Sequence, residues 1–412
     1  MTVWRRYRLK DICTYIGSGT TPKSSNSKYY DKGTYNWINT GDLNNGVVSS
    51  SKQQISDFAL KDYPTLRFYP KGTIIEAMYG ATIGKAGMLG MDATVNQACC
   101  AMVIDRNKAI PNFVLYYLVY YKPQLIKESF GGTQPNVNQF KVSNIAICIP
   151  PLESQQKIIT YLDTKLSEID HQVSILTSKR DAYLRLKKSI INHAVTRGLD
   201  LNAKMKDSGI EWIGEVPEHW EVKRMKDIFF ERKELSLTGE EDLLSVSEFY
   251  GVARRKDKMN SDEEFESRAD SLVGYKICKA HDLVINIMLA WKTGLGISDN
   301  DGIVSPAYAV YEGRNIASHF YHYLLRSGMY VKEFKRHSKG IIDSRLRLYN
   351  DRFNNISAIY PPLPEQRAIA TYLDDKCAKI DTIVSNLDKQ ISRYADLKRS
   401  LIDEVITGKR AV

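Results

Sequence analysis

Residues 150–196 of this chain recur, without a gap, as 361–407. Pro150-Pro151-Leu152, Gln155, Thr160-Tyr161-Leu162-Asp163 and Ile169-Asp170 return as Pro361-Pro362-Leu363, Gln366, Thr371-Tyr372-Leu373-Asp374 and Ile380-Asp381. Roughly twenty of about fifty positions match, more than shared helical composition supplies, so the chain is built from two copies of one unit.

Each copy reads as a long helix that starts at a proline cluster, where a missing amide donor costs nothing. In the first, Leu162, Leu166, Ile169, Val173, Leu176 and Tyr183 recur at spacings near four and three. In the second, Leu373, Cys377, Ile380, Val384, Leu387, Ile391, Tyr394 and Leu401 hold the same seam. Lys, Arg, Ser and Asp fill the other faces, which makes the stripe narrow for a globular core and suited to a partner helix. The other copy is the available partner. A helix of about 40 residues is about 60 Å long, and the linker, 197–217, is rich in turn formers. A second domain beginning beside the end of the first helix predicts an antiparallel pair, with the two preceding domains at opposite ends.

Those domains, 1–149 and 218–360, share a faint frame. Trp4 and Arg8-Leu9-Lys10-Asp11-Ile12 match Trp220 and Arg224-Met225-Lys226-Asp227-Ile228, and Asn144-Ile145 matches Asn355-Ile356. Short β-branched runs broken by Gly, Asn and Ser, with helical pieces over 113–122 and 317–336, indicate mixed α/β domains. The expected fold is therefore α+β with a pseudo-two-fold internal repeat. Two mixed α/β domains are separated by two long antiparallel helices, 150–196 and 361–412, that form an intramolecular coiled coil.

A net charge of +10 with 25 tyrosines over 412 residues suits a partner of negative charge, nucleic acid being the commonest. Six cysteines and seven histidines fall into no ligand spacing, so no metal is expected. No run of about eighteen apolar residues exists, and the opening Met1-Thr2-Val3-Trp4-Arg5-Arg6 is basic and aromatic. The expectation is a soluble, cytoplasmic chain without membrane association.

Three rival functions can be weighed. An adenine methyltransferase needs a glycine-rich cofactor loop and an Asn/Asp-Pro-Pro-aromatic motif. Tyr15-Ile16-Gly17-Ser18-Gly19 imitates the first, but the Pro-Pro pairs, in Ile149-Pro150-Pro151-Leu152 and Tyr360-Pro361-Pro362-Leu363, lack both the acceptor and the stacking aromatic. A nuclease reading finds no Asp…Glu-x-Lys arrangement in a convincing strand context and no nucleotide loop; His281-Asp282 is either a catalytic fragment or a turn before a strand over 283–287. A coiled-coil scaffold without nucleic-acid contact predicts evenly mixed charges, against which stands the run through Lys335, Arg336, Lys339, Arg345, Arg347 and Arg352 with Tyr349 interleaved.

The chain resembles the specificity subunit of type I DNA restriction-modification systems. The carriers are the paired Pro-Pro-Leu-x-x-Gln segments with the Tyr-Leu-Asp helices behind them, and Ser208-Gly209-Ile210-Glu211-Trp212-Ile213-Gly214 leading to Pro217-Glu218-His219-Trp220. Ile16-Gly17-Ser18-Gly19-Thr20-Thr21-Pro22 and Tyr35-Asn36-Trp37-Ile38-Asn39-Thr40-Gly41-Asp42 add to the likeness. The resemblance implies that 1–149 and 218–360 are target recognition domains, each reading one half of a bipartite asymmetric site in double-stranded DNA. It also implies that the helices set the spacer and dock two methyltransferase subunits, through residues such as Lys179, Arg180, Lys187, Lys188 and Arg399, with translocating restriction subunits joining. Catalysis and S-adenosylmethionine would belong to those partners, and no residue of this chain is assigned to bond making.

For DNA reading, Arg forks suit guanine and Asn or Gln suits adenine, while Lys and Arg neutralise phosphates. In the first domain these chemistries point to Lys23, Lys28, Tyr29, Tyr79, Lys85, Asn96, Gln97, Gln134, Asn136, Asn138 and Lys141. In the second they point to Arg254, Arg255, Lys256, Trp291, Lys292 and the basic run from 335 to 352. Half-sites about 34–36 Å apart, one duplex turn, would suit readers fixed on one rod.

Overall fold

The structure, a computed structural model, describes residues 4–129, 136–258 and 271–412. It divides into two compact units, one of Met1–Leu176 with Lys389–Val412 and one of Thr177–Asp388. Each unit thus holds one α/β domain, the start of the long helix that follows it, and the end of the other long helix.

The long helices are Leu152–Arg197 and Leu363–Ile406. In the second unit Arg180 pairs with Asp388 at 3.4 Å and Lys187 with Asp381 at 2.6 Å; seven residues forward on one helix is seven back on the other, so the pair is antiparallel. In the first unit Lys398 pairs with Asp170 at 2.7 Å, and Leu162, Leu166 and Ile169 share a core with Leu401, Ile402, Val405 and Ile406. The ion pairs are half-exposed and set register more than strength. Stability comes from the seam, where each fully buried aliphatic contributes about 1.5–3 kcal/mol. Leu373, Ile380 and Leu387 are buried, whereas Val173, Leu176, Tyr183, Val384 and Tyr394 are half-covered, as a two-helix contact leaves one flank open. Arg180 and Lys187, expected on the outer docking face, are instead turned onto carboxylates of the partner helix.

Both units build the same sheet. In the first, Cys13–Ser18, Cys99–Ile104, Ile74–Ala77 and Ala86–Leu89 lie side by side, all antiparallel, with Val47–Val48 added parallel at the edge. In the second the order is Phe229–Glu231, Tyr308–Gly313, Leu283–Asn286 and Leu295–Ile297, again antiparallel. A separate ribbon pairs Arg5–Arg8 with Ala146–Ile149, and Glu221–Arg224 with Ser357–Tyr360. The helical piece expected over 317–336 is two helices, Ser318–Leu325 and Gly328–His337; Ser327 takes an extended backbone between them, and Gly328 is a poor interior former.

The repeated residues are the fasteners of this frame. Gln155 is fully buried: its Nε2 donates to Pro150 O (2.9 Å) and its Oε1 accepts from Ile110 N (2.8 Å), just ahead of the helix Pro111–Lys127. Gln366 does the same with Pro361 O and Ala317 N, both at 2.8 Å. The hydroxyl of Tyr116 donates to Asp163, and that of Tyr323 to Asp374 at 2.7 Å. Arg8 N donates to Asp11 and its guanidinium to Asn144; Arg224 repeats this with Asp227 and Asn355. Gly198 and Gly408 end the two helices in left-handed backbone (φ +77° and +75°), and a Cβ there would stand 3.2 Å from the Trp220 ring and 3.0 Å from the Trp4 ring.

One core residue breaks the apolar rule. Glu76, third in the central strand Ile74–Ala77, is fully buried with neither carboxylate oxygen hydrogen-bonded among the described residues, while the equivalent strand has Ile285 there. Burial pushes its carboxyl up to about 8. Its titratable neighbours are Cys100, whose thiol is pushed well up by burial, and Tyr121, whose hydroxyl donates to Glu128. The folded state therefore holds a proton that the unfolded chain releases at the ordinary carboxylate range, so the contribution of Glu76 to stability falls as pH rises from about 4.5 to about 8 and levels above. Urea melts of wild type and Glu76→Gln across pH 5–8 should show a stability difference that falls as pH rises, since every other titrating group, His322 among them, contributes equally to both; a difference that does not change with pH would refute the assignment.

Candidate nucleic-acid interface

In each unit the hairpin between the third and fourth strands of the sheet turns through one 3₁₀ segment, Gly80–Thr82 in the first and Ala290–Lys292 in the second. Beside it runs the segment that leads to a short helix, Gln139–Ser143 or Asn350–Phe353. One backbone bond fastens the two in each case, from Val137 N to Met78 O (2.9 Å) and from Leu348 N to Ile287 O (2.8 Å). Val137 and Leu348 are both buried at 1 %, so each segment is anchored at the same point while its flanks face outward. Loops of different sequence are thus presented from the same place on one frame.

In the first unit this arrangement brings together Tyr79, 45 % exposed, Asn136, which forms an isolated bridge with it, and Asn138. Asn138 Oδ1 caps the short helix by accepting from Lys141 N at 2.8 Å, and Lys141 pairs with Glu128 at 3.7 Å. Lys85 is half-buried at the end of the hairpin turn, and Gln134 lies outside the described residues. Lys23, Lys28, Asn96 and Gln97 belong to a different patch, around the small sheet of Tyr35–Ile38, Gln54–Ile55 and Thr94–Val95. There Tyr29 drops out as a contact: it is 9 % exposed, packs with Trp37, Ile55 and Leu66, and its hydroxyl donates to Asp62 at 3.0 Å. Lys28 also binds Asp62 at 2.8 Å, which raises its ammonium above the ordinary lysine range. Asn96 is spent on structure, its Nδ2 donating to Thr21 Oγ1 (2.9 Å) and its Oδ1 accepting from Ala98 N (2.7 Å), leaving exposed Gln97 as the available amide.

The second unit sorts its cations sharply. Arg254 and Lys256 both face Asp242, at 3.3 and 2.7 Å, and hold its carboxyl below the usual range; Arg255 beside them is exposed. Arg336 forks onto buried Glu333 (2.5 and 2.9 Å), so it offsets an internal charge and is withdrawn from the candidate surface. Lys335 pairs with Asp343 at 3.0 Å and Arg352 with Asp351 at 3.5 Å. Lys292 and Lys335 each place an ammonium 4.9 Å from the Trp291 ring, whose indole N–H donates to Met288 O. Among the described residues, Lys292, Lys339, Arg345 and Arg347 form no ion pair, and Tyr349 stands 45 % exposed next to them. The backbones of Lys339 and Arg347 bond each other both ways, at 3.0 and 2.9 Å, closing a hairpin that carries Lys339, Arg345 and Arg347.

The same comparison disposes of His281-Asp282 as a catalytic fragment. His281 has φ +74° at the turn position that the other unit fills with Gly72, and Asp282 is buried on the Arg232 guanidinium (2.7 and 3.1 Å). No group of three or more His, Cys, Asp or Glu able to hold a metal occurs among the described residues. No helix of the described residues is long and apolar enough to cross a membrane. The residues that sequence reasoning missed are Ile341 and Ile342 at the hairpin tip, 97 % and 54 % exposed, since an aliphatic pair ordinarily signals core.

Residues 1–176 and 217–393 match the family described as the type I restriction modification DNA specificity domain. The chain is 23 % identical to the type I restriction enzyme MjaVIII specificity subunit of Methanocaldococcus jannaschii, over 98 % of this chain and 92 % of that one. It is 29 % identical to the MjaIX specificity subunit of the same organism over 55 % of this chain and 51 % of the relative. Two solved structures share the fold at 15 % identity. A chain from a study of assembly and conformational transition of the type I R-M system gives a TM-score of 0.72, covering 98 % of this chain and 97 % of that one. The crystal structure of the HsdS subunit from Thermoanaerobacter tengcongensis gives 0.51, covering 99 % and 97 %.

Proposed function

The chain belongs to the type I restriction modification DNA specificity family, and from that premise we propose that it is the DNA-reading, non-catalytic subunit of a type I restriction-modification complex. Each α/β domain reads one half of a bipartite site in double-stranded DNA, and the paired helices fix the gap between the halves. The observation that carries this reading is the equivalent anchoring of two divergent loop sets, Met78 with Val137 and Ile287 with Leu348, on sheets of the same order. Like frames with unlike loops suit two different readings in one molecule.

Affinity comes from cations that no carboxylate among the described residues neutralises, Lys339, Arg345 and Arg347 above all, because a charge already paired releases few counterions from DNA. Specificity comes from Arg, Asn and Gln side chains at base edges, with Tyr79, Asn136 and Asn138 the candidates in the first domain and Arg345 and Arg347 in the second. Methyltransferase subunits, two per chain, dock on the helices, where Lys179, Lys188 and Arg399 remain exposed, and translocating restriction subunits join them. S-adenosylmethionine and the methyl transfer belong to the methyltransferase partner.

The test is a map of methylated adenines in DNA from cells that carry this chain and its methyltransferase partner. Two short motifs separated by a fixed unspecified gap are expected. A continuous motif, no motif, or methyl transfer by the purified chain alone would refute the proposal.

A further inference from the structure

Ile341 and Ile342 sit at the tip of the hairpin 339–347; Ile341 is almost wholly exposed and Ile342 about half so. The base of that hairpin is well anchored: Leu346 and Leu348 are buried at 9 % and 1 %, and the strands are joined by the reciprocal Lys339 and Arg347 bonds. Gly340 makes the tight closure possible, since a Cβ there would lie 2.6 Å from Arg345 O. The acid of the tip, Asp343, is neutralised by Lys335, and among the described side chains the tip presents two exposed aliphatics flanked by Lys339, Arg345 and Arg347.

Such a tip combines two demands that are hard to meet in water. An almost fully exposed isoleucine gains by finding an apolar surface, while the three unpaired cations beside it favour a polyanion. The major groove of duplex DNA meets both. It admits a two-stranded ribbon, phosphates line its two edges, and the one apolar group on its floor is the 5-methyl of thymine.

We propose that Ile341 enters the major groove at the half-site read by the second domain and packs against a thymine 5-methyl group, with Ile342 shielding the contact and the flanking cations holding the phosphates. This rests on the DNA-reading function proposed above. The tip contributes a base preference through a side chain that makes no hydrogen bond, which explains why a hairpin tip in a soluble domain keeps two adjacent aliphatics.

The test uses the complex assembled with its methyltransferase partner. Ile341→Ser, at an exposed position, should leave the thermal midpoint and the recovery of the partner unchanged. Motif mapping should then show relaxed preference at one T·A pair in one half-site only. Replacing that thymine by uracil, which removes the methyl alone, should weaken wild-type binding about four-fold, the worth of one buried methyl group, and leave the variant unaffected. An unchanged motif, wild-type affinity indifferent to uracil, or loss of the methyltransferase partner from the variant complex would overturn the assignment while leaving the bipartite reading intact. A wild-type complex without a bipartite motif would overturn both.

Discussion

Replacing Arg345 and Arg347 together by alanine should lower the affinity of the assembled complex for its DNA about 10- to 100-fold. Both guanidinium groups lack a carboxylate partner among the described residues, so their charge is available to the ligand. If both neutralise phosphates, the dependence of log affinity on log salt flattens by about 1.8, since each released contact is worth about 0.9. If either forks onto a guanine, the loss also shows as relaxed preference at one position, worth about 1–3 kcal/mol. Fluorescence anisotropy on a cognate duplex over a salt series separates the two outcomes. The hairpin should survive, because its cross-strand bonds are made by backbone atoms of Lys339 and Arg347. Arg336→Ala serves as the control: its charge is spent on Glu333, so it should cost stability rather than change the salt slope. Affinity and slope unchanged in the double variant would remove both residues from the interface.

Trp220→Ala should destabilise the second unit by about 3–5 kcal/mol, the usual cost of emptying a large aromatic site. Trp220 is fully buried and packs with Ala194, Val195, Ile213 and Val216, so it ties the end of the first long helix to the domain that follows. Its indole N–H also donates to Glu365 at 2.8 Å, and Glu365 in turn holds His219 at 2.6 Å. Trp220→Phe keeps most of the packing and loses the donor, and should cost about 1–2 kcal/mol. Urea unfolding followed by circular dichroism would show both losses. A Trp220→Ala protein within 1 kcal/mol of wild type would mean that the tryptophan is an ornament of the repeat rather than a fastener.

Much of this frame could be read from residues alone because it is written twice. Gln155 and Gln366, Asp163 and Asp374, Arg8 and Arg224, Asn144 and Asn355 stand out by repetition, and each makes the same hydrogen bond as its counterpart or a close equivalent. Glu153 and Glu365 each place a negative charge in the first turn of a long helix, where it is favourable. Glu153 pairs with exposed Lys157 at 2.7 Å, whereas Glu365 clasps His219 and Trp220, a difference set by partners 146 and 145 residues away in the chain.

The candidate interface was less legible. The basic run from 335 to 352 looks uniform in sequence, yet folding places Glu333, Asp343 and Asp351 against three of its cations and leaves Lys339, Arg345 and Arg347 open. Tyr29 follows Lys28 in sequence as an aromatic beside a cation, the pattern of a nucleic-acid contact, but the small sheet closes over it. Ile341 has the composition of a core residue and the exposure of a loop tip.

Sequence by itself determined the two-fold plan, the long helices and their antiparallel seam, because periodicity and repetition are local properties that survive without knowledge of distant neighbours. Tertiary structure alone decided which charges are free to meet DNA, which carboxylate is stranded in the core and which aliphatics face solvent. Those depend on desolvation and on pairings between residues far apart in the chain, and neither leaves a trace in spacing.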